Sequence, residues 1–66
     1  MSGLRDIKIG DTVTICGHPM KLVRVEGLSI VYQIIDKNGK PNSPLQSYGL
    51  RAFQMICRNY GLNFIP

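Results

Sequence analysis

The chain has 66 residues and a formal net charge of +4, from eight basic and four acidic side chains. This length holds one domain, residues 1–66, and an apolar share of 44% is too high for an intrinsically disordered chain. The longest mostly apolar run, Leu28–Ile35, is broken by Ser29 and Gln33 and is far shorter than the roughly 20 residues that a membrane-spanning helix needs. The first residues lack the apolar core of a secretory signal, so we expect a cytoplasmic protein.

Three strands are predicted in the first half of the chain. Asp11–Cys16 alternates apolar and polar residues, which is typical of a half-buried strand. Pro19 is expected to separate it from a second strand over Met20–Val25, because proline cannot donate a hydrogen bond to a sheet. The third strand, Leu28–Ile35, is rich in β-branched residues, and Glu26-Gly27 predicts the hairpin turn that precedes it.

The third strand is apolar on both faces. Ile30, Tyr32 and Ile34 point one way, while Val31 and Ile35 point the other. Such a strand is typically central in a sheet and covered on both sides. One cover is predicted to be a helix, and the other is either the curled sheet itself, as in a small barrel, or a partner molecule.

The second half of the chain predicts a helix over Pro44–Asn59. Ser43 is placed to cap it, and Gln46 to complete a capping box. Apolar and small residues recur there at helical spacing: Leu45, Gly49, Ala52, Phe53, Ile56 and Tyr60. The alternative is that Leu50–Cys57 forms a last strand. The apolar tail, Leu62–Pro66, is expected to pack back on the sheet.

Groups that support catalysis or metal binding are scarce. The carboxylates share no predicted strand face or helical turn, as acid–base catalysis would require: Asp6, Asp11, Glu26 and Asp36. Cys16, His18 and Cys57 offer three zinc ligands without a fourth, and no glycine-rich phosphate loop is present. We therefore expect a protein that is not an enzyme, carries no metal or cofactor, and keeps both cysteines as thiols.

Basic residues on the predicted sheet indicate nucleic-acid binding as one possible function. Lys21 and Arg24 lie on the second strand, Lys37 and Lys40 flank the next turn, and Tyr32 is central in the third strand. A curved sheet with basic and aromatic side chains can bind single-stranded nucleic acid. Lys21 and Arg24 are an odd number of residues apart, so in a regular strand they face opposite ways and divide the patch.

Protein contact is the second possible function. Arg51, Met55 and Arg58 fall on the outer face of the predicted helix, and methionine and arginine are enriched at interfaces. An ordinary solvated face explains the same pattern. The third strand and the tail residues Phe64 and Ile65 carry more apolar surface than one helix covers, which predicts a homodimer or another protein over that surface.

A short motif gives a family resemblance. Gly10-Asp11 inside Ile7–Val13, followed by the apolar pattern of Met20–Val25, resembles small bacterial and phage proteins with SH3-like barrels, many of them uncharacterised. The resemblance covers Ile7–Asp36 and implies binding rather than catalysis. Those proteins tend to end in a short strand, whereas the end of this chain is predicted to be helical.

The sequence therefore predicts an α+β fold, with a three- or four-stranded antiparallel sheet from Asp11 to about Lys40 and one C-terminal amphipathic helix. The sheet is strongly twisted or SH3-like, and the alternative fold is a five-stranded SH3-like barrel with only a helical turn. The predicted function is that of a small regulatory or adaptor protein that binds another protein, such as a phage-type inhibitor of a host factor. The alternative is a small basic nucleic-acid-binding module. The candidate partner-binding residues are Arg51, Met55, Arg58, Tyr32, Lys21, Arg24 and Phe64.

Overall fold

A computed structural model describes residues 3–66 of the protein. Its strands and helix are, in chain order, β1 (Arg5–Lys8), β2 (Thr12–Ile15), β3 (His18–Glu26), β4 (Ser29–Ile34), β5 (Gln46–Gly49), α1 (Leu50–Asn59) and β6 (Leu62–Ile65). β2, β3, β4 and β5 form an antiparallel sheet in that order, while β1 and β6 form a separate parallel pair. The predicted α+β class, antiparallel sheet and C-terminal helix are confirmed. The sheet is open, with β2 and β5 as its edges, so closure into an SH3-like barrel is not confirmed.

The hairpin between β2 and β3 turns at Cys16 and Gly17. Both residues have positive φ, 55° and 78°, as in the type I′ turn whose twist suits a hairpin. Thr14 pairs with Pro19, so the expected break at this proline is wrong and β3 begins before it. Proline has no N–H to donate, but β4 ends at Ile34 and no residue of that strand requires a bond from this position. The Pro19 carbonyl still accepts a hydrogen bond from the Ile35 N–H at 3.0 Å.

A β-bulge changes the direction of the side chains along β3. Leu22 pairs with Tyr32, but Arg24 pairs with Val31, so one extra residue of β3 lies between the two pairs. Lys21 precedes the bulge and therefore shares a face of the sheet with Arg24. The prediction that these two basic residues face opposite ways is wrong, because the extra residue cancels their odd spacing.

β4 is buried on both faces, as predicted. Tyr32 packs against the main core, while Val31 and Ile35 are buried outside that cluster. Gln33, on the same face as Val31, donates a hydrogen bond to the Ser43 carbonyl at 2.9 Å and so holds the β4–β5 connection on this side. The apolar residues of β4 are thus covered within one chain, which removes part of the reason for expecting a homodimer; the dimer itself stays a prediction.

α1 begins at Leu50, six residues later than the sequence predicts. Gln46–Gly49 forms β5 instead, because these residues complete a ladder along β4, and that pairing overrides the local capping signal at Ser43. The first helical N–H, of Leu50, is satisfied by the Leu28 carbonyl at 2.8 Å. The alternative of a strand over Leu50–Cys57 is wrong. No helix in residues 3–66 is long and apolar enough to span a membrane.

The core lies between the inner face of the sheet, α1 and the β1–β6 pair. Its buried members are Ile7, Val13, Ile15, Met20, Leu22, Ile30, Phe53, Cys57, Leu62 and Phe64. The Phe53 ring stacks on Tyr32 with centroids 6.4 Å apart and meets Phe64 edge-on at 5.5 Å. The tail does pack back, but it pairs with β1 and contacts α1 rather than extending the four-stranded sheet.

Candidate protein-binding surface

Three of the predicted contact residues lie together on the solvent-facing side of α1. Arg51, Met55 and Arg58 stand at positions i, i+4 and i+7, which fall on one side of a helix. All three are exposed, and Met55 keeps 70% of its surface accessible. With Gln54 they line a shallow hollow of about 440 Å³, and the Gln54 side-chain amide donates a hydrogen bond to the Phe64 carbonyl at 3.2 Å.

A second hollow, of about 390 Å³, adjoins the first at the N-terminal end of α1. It shares Arg51 and Gln54 with the first and adds apolar surface. Leu28, which is 86% exposed, is held there by the bond from the Leu50 N–H to its carbonyl. We call Leu28, Arg51, Met55, Arg58 and Pro66 together the α1 surface.

Sequence reasoning missed Leu28 because it placed this residue inside the third strand. Glu26 pairs with Ser29, so the hairpin turn consists of Gly27 and Leu28 rather than of Glu26 and Gly27. Gly27 has a φ of 58°, and glycine is the residue favoured for positive φ at the first turn position. This preference for glycine could have located the turn from the sequence. If Gly27 is the first turn residue, Leu28 is the second and lies at the exposed tip of the hairpin.

The arginines of the α1 surface have no acidic counterpart within residues 3–66. Each of the four acidic side chains is engaged elsewhere: Asp6 with Asn63, Asp11 with the Lys8 N–H, Glu26 with Arg24, and Asp36 with the N–H groups of Asn38 and Lys40. Arg58 lies in the last turn of α1, where a positive charge interacts favourably with the helix dipole. Arg51 lies in the first turn, which holds no acidic residue, and a positive charge there is unfavourable.

The basic residues of the sheet are arranged differently. Lys21 and Arg24 are exposed on the outer face, whereas Tyr32 belongs to the inner face and stacks on Phe53. Arg24 also pairs with Glu26 at 3.0 Å between half-exposed side chains, a contact of small energetic value. The structure therefore brings Lys21 and Arg24 together but separates them from the aromatic ring that the nucleic-acid hypothesis needs.

The turn that follows β4 holds the other two basic residues of that hypothesis. Lys37 and Lys40 are exposed there. The Asp36 side chain accepts hydrogen bonds from the N–H groups of Asn38 and Lys40, at 2.8 Å and 3.0 Å, and these bonds stabilise the turn that Asp36 starts.

Phe64 is not part of any accessible surface. It is 2% exposed and meets Phe53 edge-on inside the core. The alternation of β6 directs Phe64 inward and leaves its neighbour Ile65 half exposed. The prediction of Phe64 as a partner-binding residue is therefore wrong.

A small apolar cleft lies on the other side of α1, between this helix and the inner face of the sheet. It measures about 210 Å³ and is lined by Ile15, Cys16, His18, Met20, Tyr32, Ile34, Tyr48, Phe53 and Ile56. At its margin the Tyr60 hydroxyl donates to the Cys16 sulfur at 3.1 Å, and this bond raises the pKa of Tyr60 above its usual value. The lining carries no carboxylate, ammonium or guanidinium group, and its polar groups are the Cys16 thiol, the His18 imidazole and two tyrosine hydroxyls.

The two cysteines occupy contrasting places. Cys16 is exposed at the β2–β3 turn, and Cys57 is buried on the inner face of α1; both are free thiols. Burial raises the pKa of the Cys57 thiol, because desolvation disfavours the thiolate. Within the described part of the chain, no three histidine, cysteine or acidic side chains lie close enough to hold a metal ion.

Comparisons with models of protein families, with curated proteins and with solved structures find no match for this chain. Function has to be inferred from its own geometry. The α1 surface has three features that folding does not require: an exposed methionine, an exposed leucine, and an arginine at the start of α1.

Proposed function

We propose that this protein is a small non-enzymatic regulator or adaptor that binds another protein through the α1 surface. The observation that carries the proposal is Met55, a large apolar side chain that is 70% exposed in mid-helix between two arginines. Burying apolar area of this kind on a partner contributes roughly 25 cal/mol per Å². Arginine and methionine are also the residue types that protein interfaces enrich.

The carboxylates support a non-catalytic role. A carboxyl group that acts as a general acid or base lies at a cleft, with a perturbed pKa and a reacting partner. In this chain Asp11 and Asp36 stabilise turns, and Glu26 sits in an exposed pair with Arg24. The cleft beside α1 lacks such groups. An inhibitor or adaptor needs none of them, because it works by occupying a surface.

A photo-crosslinking residue at position 55 tests the proposal in the cells that naturally make the protein. We expect irradiation to give a protein adduct at position 55, which mass spectrometry identifies and which Arg51→Glu weakens. The matched control carries the same residue at Thr14, which is exposed on the opposite side of the sheet. Equal adducts at both positions, a nucleic-acid adduct at position 55, or no adduct there would contradict the proposal.

Nucleic-acid binding is the second candidate function, and the β-bulge is the observation in its favour. The bulge places Lys21 and Arg24 on one face of β3, where they can contact neighbouring phosphates. Affinity for a single-stranded oligonucleotide should then fall steeply with salt and drop further in Lys21→Ala. Weak binding that is insensitive to Lys21→Ala would reject this candidate.

A further inference from the structure

We infer that the α1 surface recognises an acidic protein segment, one that presents two carboxylates about 10 Å apart on either side of an apolar side chain. The inference rests on the proposed function and names the chemistry of the partner. It follows from three properties of the α1 surface: the spacing of its arginines, their lack of internal partners, and the apolar side chains that accompany them.

The spacing comes from helix geometry. Arg51 and Arg58 are seven residues apart, which is two turns and a rise of about 10 Å, with a difference in direction of only about 20°. Met55 lies between them on the same side. A guanidinium binds a carboxylate through two parallel hydrogen bonds. The complementary partner therefore carries its two carboxylates at the same separation, with an apolar group between them to cover Met55.

The electrostatic argument concerns Arg51 above all. Its charge stands in the first turn of α1, where the positive end of the helix dipole makes a cation unfavourable. No acidic side chain of the helix offsets it. A carboxylate from a partner at this point meets both the guanidinium and the positive end of the dipole. The arrangement is unfavourable in the isolated chain and favourable in a complex with an acidic partner.

The apolar side chains distinguish a protein partner from a nucleic acid. Leu28 and Met55 are the most exposed large apolar residues of the described chain, and they lie in or beside the two hollows of the α1 surface. The residues that line these hollows include no aromatic ring on which a base could stack. Acidic protein segments supply both carboxylates and aliphatic side chains, whereas a nucleic-acid backbone supplies only the charge.

A second copy of the chain fits this surface poorly. A two-fold contact places the same patch against itself, so the arginines of one copy would face the arginines of the other. The net charge of +4 adds repulsion over a longer range. Charge complementarity thus selects a different, acidic protein.

Helical peptides with a covalent staple can test which spacing of carboxylates this site prefers. The first peptide carries glutamates at i and i+7 with leucine at i+4; a second has glutamines in place of the glutamates, a third keeps the leucine but has the glutamates at i and i+11, and a fourth has alanine for the leucine. Binding is measured by calorimetry and mapped by amide chemical shifts. We expect the first peptide to bind at least tenfold more tightly than the other three, with shifts centred on Leu28, Met55 and Arg58.

Variants of the protein separate local recognition from overall charge. Arg51→Gln and Arg58→Gln should each weaken the first peptide at least fivefold and leave the glutamine peptide unchanged. Lys37→Gln removes one positive charge from an exposed turn and should change affinity by less than twofold. Circular dichroism confirms that each variant is folded.

Several outcomes would overturn the inference. They are equal binding of the acidic and neutral peptides, no dependence on carboxylate spacing, shifts confined to another surface, tighter binding of an oligonucleotide than of the first peptide, or a dimer that Met55→Ala dissociates. A protein adduct at position 55 together with equal binding of acidic and neutral peptides would reject the inference and leave the proposed function standing. A lack of any adduct at position 55 would reject the proposed function itself.

Discussion

The two faces of α1 contain residues of different kinds for different physical reasons. The inner face buries Phe53 and Cys57 in the core, where packing dictates the residue at each position. The outer face exposes Met55 and places Arg51 where its charge disfavours the helix. The requirements of folding therefore explain which residues occupy the inner face but not which residues occupy the outer face. We expect binding to involve the residues of the outer face. The predictions below test this division, from the largest effect on stability to the smallest.

The sharpest contrast is between Phe53 and Met55, two residues apart on the same helix. Phe53→Ala removes a ring that contacts both Tyr32 and Phe64, so we expect a loss of about 3–5 kcal/mol in the free energy of unfolding. Met55→Ala should change it by less than about 0.5 kcal/mol, since the side chain is exposed. Chemical denaturation measures both. If Phe53→Ala is as stable as the parent chain, the assignment of the inner face is wrong.

The pH dependence of stability tests whether Cys57 is buried on the inner face of α1. Because burial raises its pKa, the folded chain holds the thiol proton at a pH where the unfolded chain loses it. The stabilisation is complete below the ordinary cysteine pKa of about 8.5 and is lost as the pH rises from there through the folded-state value. We expect Cys57→Ala to cost about 1–2 kcal/mol at pH 7 and to show a shallower loss of stability between pH 8 and 10, as thermal unfolding would measure. An unchanged alkaline slope would contradict the burial of this thiol.

Substitutions at Cys16 test the conformation of the β2–β3 turn, which lies near the inner face of α1. Its φ of 55° is unfavourable for cysteine, whereas Asn-Gly is the pair that type I′ turns prefer. We expect Cys16→Asn to raise the free energy of unfolding by about 1 kcal/mol. Cys16→Val serves as the control and should lower it, because β-branched residues are poorly tolerated at positive φ. Denaturation curves that rank valine above asparagine would contradict the turn geometry.

The outer face should show the smallest effects on stability, and with opposite signs at its two ends. Arg51→Glu places a negative charge at the N-terminal end of α1 and should stabilise the chain by about 0.3–1 kcal/mol. Arg58→Glu places one at the C-terminal end and should destabilise it by a similar amount. Thermal unfolding at low salt measures both, and the difference should shrink at 1 M salt. Changes of the same sign at both ends would contradict the dipole argument.

The sequence predicts those parts of the fold that local patterns determine. Alternation locates β2 and the two faces of β4, and the spacing of Phe53, Ile56 and Tyr60 indicates a helix on this stretch. The start of that helix was misplaced because β5 exists only through its pairing with β4. The β1–β6 pair was missed for the same reason, since parallel strands at the two ends of a chain leave no local signal of their contact.

The candidate site was predicted in part. Arg51, Met55 and Arg58 follow from helical periodicity, which the late start of α1 does not disturb. Leu28 was missed because a shift of one residue in the preceding turn moves it from a strand to an exposed tip. Whether Lys21 and Arg24 share a face depends on the bulge between Leu22 and Arg24, and the sequence of β3 shows no clear sign of that bulge. The direction of Phe64 could not be predicted because β6 is fixed by its pairing with β1, at the other end of the chain.

The central claim is that the outer face of α1 binds an acidic partner and that its residues lower the stability of the helix. Arg51→Glu tests it most directly, through stability and affinity for the glutamate i, i+7 peptide measured on the same preparation. We predict that the variant unfolds at a higher temperature than the parent chain and binds the peptide at least tenfold more weakly. A variant that is more stable and binds as well as the parent chain would contradict the account.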